Sequence, residues 1–209
     1  MKRSMDILLA VFGMIAVGWL IALCWLLASL DTRRNGFFTQ QRVGKNGVIF
    51  NIIKIRTMRP VTGIDTMVTC RDDPRITRIG KLMRRFKLDE LPQIINVLLG
   101  HMSFVGPRPD VAGYADNLIG EDRIVVTIRP GITGLATLAF RNEEDLLNQS
   151  SDPESYNRNV LFPAKVKINR YYIEHYSLLM DLHCILATLF PRIRPRILSD
   201  MESLLMPGL

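Results

Sequence analysis

The most informative part of the chain is Lys87-Leu-Asp-Glu-Leu-Pro-Gln-Ile-Ile-Asn96, which Ser103-Phe-Val-Gly-Pro-Arg-Pro-Asp110 follows closely. The first part places two adjacent carboxylates, Asp89 and Glu90, at the start of a predicted helix. The second part holds Arg108 between two prolines, which restrict the backbone on both sides. Acids beside fixed cations can bind a magnesium-bound diphosphate, so this stretch predicts chemistry on a phosphate.

The same region predicts the order of local structure. We expect a helix over about residues 89–99, because Pro92 needs no N–H donor in a first helical turn and Gly100 favours a helix end. A short strand over residues 101–105 follows. Residues 129–134, Arg-Pro-Gly-Ile-Thr-Gly, are typical of a turn or loop.

Upstream lies Ile7–Leu30, a segment without acidic or basic side chains. As a straight helix it would extend about 36 Å, which is enough to cross the hydrocarbon core of a bilayer. It is longer than the apolar run of a cleaved signal peptide, and no small-x-small cleavage site closes it. The segment contributes much of the hydrophobic content of 48% and the mean hydropathy of +0.14. We interpret it as a retained membrane anchor.

Between these two regions the pattern predicts a β-hairpin, a loop and a helix. The hairpin joins strands over 37–41 and 48–55 through a turn rich in glycine and asparagine, at 42–47. A loop over 59–74 leads to an amphipathic helix that begins at Arg75. Its apolar positions are Ile76, Ile79, Met83 and Phe86. This helix would either lie on the lipid surface or pack on a core.

Downstream, the pattern is mainly helical. The predicted elements are a strand over 135–140, a short acidic helix over 142–148, and closing helices over 163–176 and 177–190. In the last helix one apolar stripe, expected in the core, comprises Leu178, Leu182, Ile185, Leu186 and Leu189.

The charge distribution indicates the class of partner. The net charge is +7 and the pI is about 9.6. Basic residues concentrate between Arg33 and Lys87, where the acids are Asp65, Asp72 and Asp73. This balance suits anionic lipid headgroups or nucleotide phosphates. A nucleic acid is not expected, because this region interleaves few aromatic residues and contains no recognition motif.

Cysteine and histidine usage excludes two other classes of site. The three cysteines are an odd, widely spaced set, so they predict no disulfide framework and fit a reducing compartment. The three histidines lack the spacing of zinc ligands.

Several cations could complete a phosphate site with the acidic pair: Lys54, Arg56, Arg84, Arg108 and Arg129. Lys54 and Arg56 alternate on a predicted strand and therefore share one face. Each cation alone is also compatible with a solvated surface charge, and Asp89 alone is compatible with a helix N-cap. Their combination favours the functional interpretation.

The motifs in their order carry a specific resemblance. They are Lys54-Ile-Arg-Thr-Met58, Leu88-Asp-Glu-Leu-Pro-Gln93, Asn96-Val-Leu-Leu-Gly100, Met102-Ser-Phe-Val-Gly-Pro-Arg-Pro109 and Arg129-Pro-Gly-Ile-Thr-Gly134. The chain resembles the bacterial sugar transferase family, the small monotopic polyprenyl-phosphate phosphoglycosyl transferases. The resemblance runs from Lys2 to about Leu182, and the chain is similar to the minimal form, without the additional N-terminal membrane region of larger members.

The resemblance implies a reaction and its residues. A sugar-1-phosphate would pass from a UDP-sugar to undecaprenyl phosphate, a polyprenyl phosphate, and UMP would leave. Asp89 would be the nucleophile that forms a phosphosugar–aspartate intermediate, and it would bind Mg²⁺ together with Glu90. Phosphates would be held by Arg84, Arg108 and Arg129, with Lys54 and Arg56 as weaker candidates. Covalent catalysis splits a difficult exchange into two steps at one site.

The resemblance also implies an α-rich α/β fold at the cytoplasmic face of the bacterial inner membrane. Residues 1–32 would form a re-entrant membrane helix, and residues 33–209 a compact cytoplasmic domain with a β-hairpin and amphipathic, membrane-surface helices. One position departs from the family pattern. Gly18-Trp19 stands where a Ser-Pro pair commonly breaks the membrane helix.

A second function class fits the basic composition. The chain could be a membrane-anchored basic binding or scaffold protein without catalysis, and UMP release from UDP-sugars in the presence of a polyprenyl phosphate separates the two classes. The sequence is equally compatible with glucose, galactose and N-acetylated amino sugars, and it assigns no pathway and no oligomeric state.

Overall fold

The computed structural model of the protein describes residues 2–61 and 73–190. The chain folds into two structural units. The first comprises Met1–Gln41 and Asn51–Gly100, and the second comprises Arg42–Phe50 and His101–Leu209. Most of the predicted loop over 59–74 lies outside the described residues. The functional division at residue 32 stays a prediction.

Helices dominate the described residues. The α-helices are α1 (Lys2–Thr32), α2 (Arg78–Arg85), α3 (Gln93–Leu98), α4 (Leu135–Ala139), α5 (Glu143–Gln149), α6 (Pro153–Tyr156), α7 (Phe162–Glu174) and α8 (Leu178–Leu189). The strands are β1 (Phe37–Val43), β2 (Ile49–Ile55), β3 (Ser103–Val105) and β4 (Gly131–Thr133). They form two small sheets, β1–β2 and β3–β4. This arrangement is compatible with the expected α-rich α/β fold.

In the first unit, α1 is a helix long and apolar enough to cross a membrane. One face of α1 is buried. The C-terminal part of that face contributes Cys24 and Ala28 to a core cluster with Ile55 of β2 and Met83 of α2. The opposite face exposes large apolar side chains: Leu8, Phe12, Ile15, Trp19, Leu23, Leu26 and Leu30. A continuous exposed apolar surface of this kind is typical of contact with lipid.

The hairpin prediction is confirmed. β1 and β2 pair through a turn in which Gly44 N–H donates to the carbonyl oxygen of Val48 at 2.9 Å. Asn46 and Gly47 adopt positive φ angles of 58° and 78°. The turn therefore needs residues that tolerate left-handed backbone, and Asn-Gly is the dipeptide that tight hairpin turns prefer.

The two short helices of the first unit start later than their patterns suggested. α2 begins at Arg78, where Thr77 caps it by accepting a hydrogen bond from Gly80 N–H. Ile76 instead forms an isolated antiparallel bridge with Met58, which keeps it out of the helix. The predicted helix over 89–99 begins as a 3-10 turn, Leu88–Glu90, before α3 proper.

In the second unit, β3 and β4 pair in parallel, with Ser103 opposite Gly131 and Val105 opposite Thr133. The predicted strand over 101–105 is confirmed. The prediction of a turn or loop over 129–134 is wrong for residues 131–133, because pairing with β3 holds them extended.

The predicted strand over 135–140 is also wrong, since these residues form α4. Leu138 N–H donates to the Gly134 carbonyl at 3.0 Å, and Phe140 N–H donates to the Ala136 carbonyl at 3.0 Å. Leucine and alanine have high helix propensity, which the alternation of larger and smaller side chains obscured. The acidic helix and the two closing helices are confirmed as α5, α7 and α8.

The apolar stripe of α8 does not face the core as expected. Leu182 and Leu189 are exposed, and the buried face consists of Asp181, Cys184 and Ala187. Tyr172 Oη donates to Asp181 Oδ1 at 2.6 Å inside this interface. Small and hydrogen-bonding side chains allow α8 to approach its neighbours closely, and hydrophobicity alone selected the wrong face.

The close packing at Gly80 gives a stability prediction. A Cβ atom there would overlap the carbonyl oxygen of Thr57, a backbone atom that cannot move aside cheaply. Gly80→Ala should destabilise the first unit by roughly 1–3 kcal/mol, measured by thermal unfolding in detergent. The matched helical control is Gly18→Ala, whose Cβ would lie 3.8 Å from the Met14 sulfur. Equal melting temperatures for the two variants would contradict the prediction.

Candidate functional site

Asp89 is a buried carboxylate with an unused oxygen. The residue is 7% exposed, and its Oδ1 atom has no hydrogen-bond partner among the described residues. Asp89 lies in the 3-10 turn Leu88–Glu90, which follows Lys87, a residue with a left-handed backbone at φ 56°. This turn directs the carboxylate inward rather than to solvent. A buried acceptor without a donor is rare in proteins and calls for an explanation such as a ligand.

The structure excludes the helix-cap interpretation of Asp89. The residue at the cap position of the 3-10 turn is Lys87, the one at the cap position of α3 is Pro92, and neither cap involves a side-chain hydrogen bond. The Asp89 carboxylate therefore does not cap the helix that it precedes.

Cations of the first unit surround the acidic pair. Lys54 Nζ lies 3.7 Å from Glu90 Oε1, and both side chains are mostly buried. Burial raises the pKa of the Asp89 carboxyl above its ordinary value, and the charge of Glu90 raises it further. The positive charges of Lys54, Arg84 and Lys87 oppose this rise. The site thus combines two carboxylates with three cations, Lys54, Arg84 and Lys87, which form a cationic rim.

Arg56, the other candidate on β2, makes different contacts. Its Nε donates to the Asn35 carbonyl at 2.8 Å and its Nη2 donates to the Phe37 carbonyl at 3.2 Å. The guanidinium also lies 5.5 Å from the centre of the Phe38 ring. Arg56 therefore ties the base of the hairpin to the end of α1, and its substrate contact stays a prediction.

In the second unit, Arg108 and Arg129 lie on neighbouring segments. Gly131 N–H donates to the Pro107 carbonyl at 2.7 Å, and Ser103 N–H donates to the Pro130 carbonyl at 2.9 Å. The accepting carbonyls belong to the residues directly before Arg108 and directly after Arg129. The structure thus places on neighbouring segments two arginines that the sequence separates widely.

Two further charged residues are not predicted from the sequence. Lys87 acts on the acidic pair, and only its left-handed backbone marks it as unusual. Asp110 is the last residue of the Ser103–Asp110 motif, and its position after Pro109 is typical of an ordinary loop residue. Burial raises the pKa of Asp110 to about 6, with Glu143 acting in the same direction and Lys165, Arg42 and Arg108 opposing it.

The residues present fit a magnesium ion that arrives with a diphosphate. No group of three or more metal-binding side chains occurs within residues 2–61 and 73–190. Mg²⁺ commonly binds through one or two carboxylates and completes its shell with phosphate oxygens and water. Asp89 and Glu90 offer that number of carboxylates, and Asp89 Oδ1 is available.

Comparisons with known proteins agree on one family. The sequence model described as bacterial sugar transferase matches residues 1–194. The exopolysaccharide production protein PSS of Rhizobium leguminosarum bv. phaseoli is 35% identical over 199 residues, which cover 90% of this chain and 92% of that protein.

Two relatives carry more specific names. The UDP-glucose:undecaprenyl-phosphate glucose-1-phosphate transferase of Escherichia coli (strain K12) is 32% identical over 196 residues, covering 91% of this chain and 39% of that protein. The UDP-N-acetylgalactosamine-undecaprenyl-phosphate N-acetylgalactosaminephosphotransferase of Aeromonas hydrophila is 33% identical over 192 residues, which cover 90% of this chain and 42% of that protein.

The raised pKa of Asp110 predicts a pH-dependent effect on stability. An acid with a raised pKa stabilises the fold below its ordinary value of 3.8, and this contribution is lost as the pH rises through about 6. Asp110→Asn removes the charge and should stabilise the protein at pH 8 by up to about 3 kcal/mol. The gain should fade toward pH 4. Denaturant unfolding across this range checks it, and a variant that is less stable than wild type at pH 8 would contradict it.

Proposed function

Because the chain belongs to the bacterial sugar transferase family, we propose that it transfers a sugar-1-phosphate from a UDP-sugar to undecaprenyl phosphate and releases UMP. The observation that carries this proposal is the buried Asp89 carboxylate with its unused Oδ1, beside Glu90 and a rim of cations. The product would be the first lipid-linked sugar of a surface polysaccharide or glycoconjugate. An inert scaffold would have no need of a buried, unpartnered carboxylate oxygen.

In the first step, a carboxylate oxygen of Asp89 attacks the sugar-bearing phosphorus of the UDP-sugar. An O–P bond forms, and the bond from that phosphorus to the bridging oxygen breaks. The bridging oxygen leaves with the electron pair as part of UMP. The sugar-1-phosphate is then held on Asp89 as a mixed anhydride. The dry surroundings favour this attack, because the carboxylate has little hydration shell to lose.

In the second step, a phosphate oxygen of undecaprenyl phosphate attacks the same phosphorus. The aspartyl O–P bond breaks, its electron pair returns to the carboxylate, and a polyprenyl diphosphate sugar forms. The two steps allow a soluble donor and a membrane-bound acceptor to use one nucleophile in turn.

Glu90 and Asp89 would hold Mg²⁺ through their carboxylate oxygens. When bound, the ion would neutralise the negative charge of the diphosphate and so allow a carboxylate to approach it. Lys54 orients Glu90 through their ion pair. Lys87 and Arg84 lower the cost of ionising Asp89.

Arginines supply the phosphate contacts in this proposal. Arg84, Arg108 and Arg129 each offer a planar fork that matches two phosphate oxygens at once. The backbone hydrogen bonds between the loops of Arg108 and Arg129 reduce the freedom of both residues before substrate binds. Arg56 is a weaker candidate because its donors already bond to backbone carbonyls.

We propose further that the protein acts at the cytoplasmic face of the inner membrane, with α1 entering one leaflet and both of its ends on the cytoplasmic side. Arg3 donates to the Val97 carbonyl at 2.6 Å, and Asp31 pairs with Arg59 at 3.1 Å. Both ends of α1 therefore contact polar groups of the same unit. Positive charge also flanks both ends, whereas a spanning helix usually shows it on one side.

Replacing the nucleophile tests the reaction. Asp89→Asn should lower UMP release by at least about a thousandfold, because the amide cannot form the anhydride. Its melting temperature should not fall, since Oδ1 makes no hydrogen bond to the described residues that the amide would lose. Glu121→Gln, at an exposed acid of the second unit, is the control and should remain active. Substantial turnover by Asp89→Asn would refute the assignment of Asp89 as the nucleophile.

Thiol labelling tests the topology. Ser4 is exposed in the structure, so Ser4→Cys provides an accessible thiol. It is introduced into a chain whose native Cys24, Cys70 and Cys184 are replaced by serine. In membrane vesicles of known orientation, an impermeant thiol reagent should react with the new thiol only from the cytoplasmic face. Reaction only from the periplasmic face would establish a full span and reject the re-entrant arrangement.

A further inference from the structure

Gln93 is a buried amide one helical turn after Asp89. It is the first residue of α3 and is 1% exposed. The backbone between the two residues stays helical, with Leu91 and Pro92 both in the right-handed region. The backbone hydrogen bonds of this stretch join residues three apart, as in Leu91 N–H to Leu88 and Ile94 N–H to Leu91. Four residues along this tight path, the Gln93 side chain leaves the turn that directly follows the turn of Asp89.

The Gln93 side chain has an unused donor. Among the described residues of the first unit, the buried side-chain atoms without a hydrogen-bond partner are Asp89 Oδ1 and Gln93 Nε2. A buried donor left without an acceptor costs about 1–3 kcal/mol. A buried donor and a buried acceptor left open on adjoining turns, and not bonded to each other, indicate a ligand that contacts both.

A neighbouring amide shows what a structural role looks like in this helix. Asn96 is also 1% exposed, and it bonds to β2 at both ends. The N–H of Ile53 donates to Asn96 Oδ1 at 2.9 Å, and Asn96 Nδ2 donates to the Asn51 carbonyl at 2.8 Å. The Gln93 Nε2 donor makes no such tie to the described residues, so joining helix to sheet does not explain its burial.

The chemistry of the open donor restricts its partner. An amide N–H cannot bind a metal cation, and it repels the ammonium and guanidinium groups of the rim. It matches an oxygen that carries negative charge. At Asp89, the proposed reaction supplies such an oxygen on the phosphoryl group that the carboxylate attacks.

We infer that Gln93 Nε2 donates a hydrogen bond to a non-bridging oxygen of the phosphoryl group at Asp89. The inference rests on the proposed function. Gln93 would thus hold the phosphorus in line with the carboxylate and stabilise the charge that its oxygens carry in the transition state. A single donor of this kind commonly contributes on the order of 10²-fold to kcat.

The test separates this role from a structural one by measuring activity and stability together. In Gln93→Met, a side chain of similar size loses the donor. UMP release should fall about 100-fold, while the melting temperature should stay equal or rise, because an unsatisfied buried polar group is replaced by an apolar one. Gln93→Glu, which places a third acid near the phosphoryl oxygens, should be at least as inactive.

Asn96→Leu is the matched control on the same helix. It should show the opposite pattern, with a lower melting temperature and near wild-type activity per folded molecule, since its amide serves the contact with β2. Failure of Asn96→Leu to fold would equally mark that amide as structural.

The outcomes distinguish the inference from the proposed function. If wild type releases UMP and Gln93→Met does so at a similar rate, the role of Gln93 is refuted and the proposed function stands. A parallel loss of stability and activity in Gln93→Met would show a structural residue and also refute it. A wild-type protein that is inactive on a panel of UDP-sugars with polyprenyl phosphate overturns both.

Discussion

The burial of the Asp89 carboxylate next to Glu90 is the constraint on which the site depends. Two adjacent acids at low exposure repel each other and lose hydration, so the pKa of Asp89 rises. Such a pair persists only where the surroundings compensate for it. Lys54, Arg84 and Lys87 provide part of that compensation, and the proposed substrate and its metal ion would provide the rest. Buried acids with raised pKa values are expected where binding and catalysis use them.

The first unit is built to hold this carboxylate in place. α1 packs against α3 near Ile94 and against β2 and α2 near Cys24, so the apolar helix supports the elements that carry Lys54, Arg84 and Gln93. Lys54 of β2 reaches Glu90. The same helix α1 exposes its other face, which suits lipid. A membrane anchor and a catalytic scaffold would therefore share one element, which would keep the nucleophile close to a membrane-bound acceptor.

Local sequence patterns predicted part of the fold and part of the candidate site. Asn46-Gly47 specifies its turn, and the acidic pair is visible because its members are adjacent in sequence. The predicted strand over 135–140 is wrong because helix propensity outweighed an apparent alternation, and the predicted loop over 129–134 is wrong at 131–133 because those residues pair with β3. The prediction that the leucine stripe of α8 faces the core is wrong, because the closely packed face of the helix consists of small and hydrogen-bonding residues. Hydropathy alone favours the leucines.

The site itself depends on burial, which sequence does not encode locally. The ion pair of Lys54 with Glu90 joins a strand to a turn and was not predicted, because the sequence marked Lys54 only as a candidate for a phosphate contact. Lys87, Gln93 and Asp110 carried no pattern of their own, because an unsatisfied atom or a shifted pKa emerges only when the chain is packed.

The most direct test of the account is a rapid-quench experiment on the wild-type protein with UDP-sugar and Mg²⁺ but no polyprenyl phosphate. The account predicts a burst of UMP of about one equivalent per active site. Proteolysis and tandem mass spectrometry should then locate a phosphosugar on Asp89, and adding polyprenyl phosphate should remove it. Rapid turnover with polyprenyl phosphate but no burst, or an adduct located on Glu90, would contradict the account.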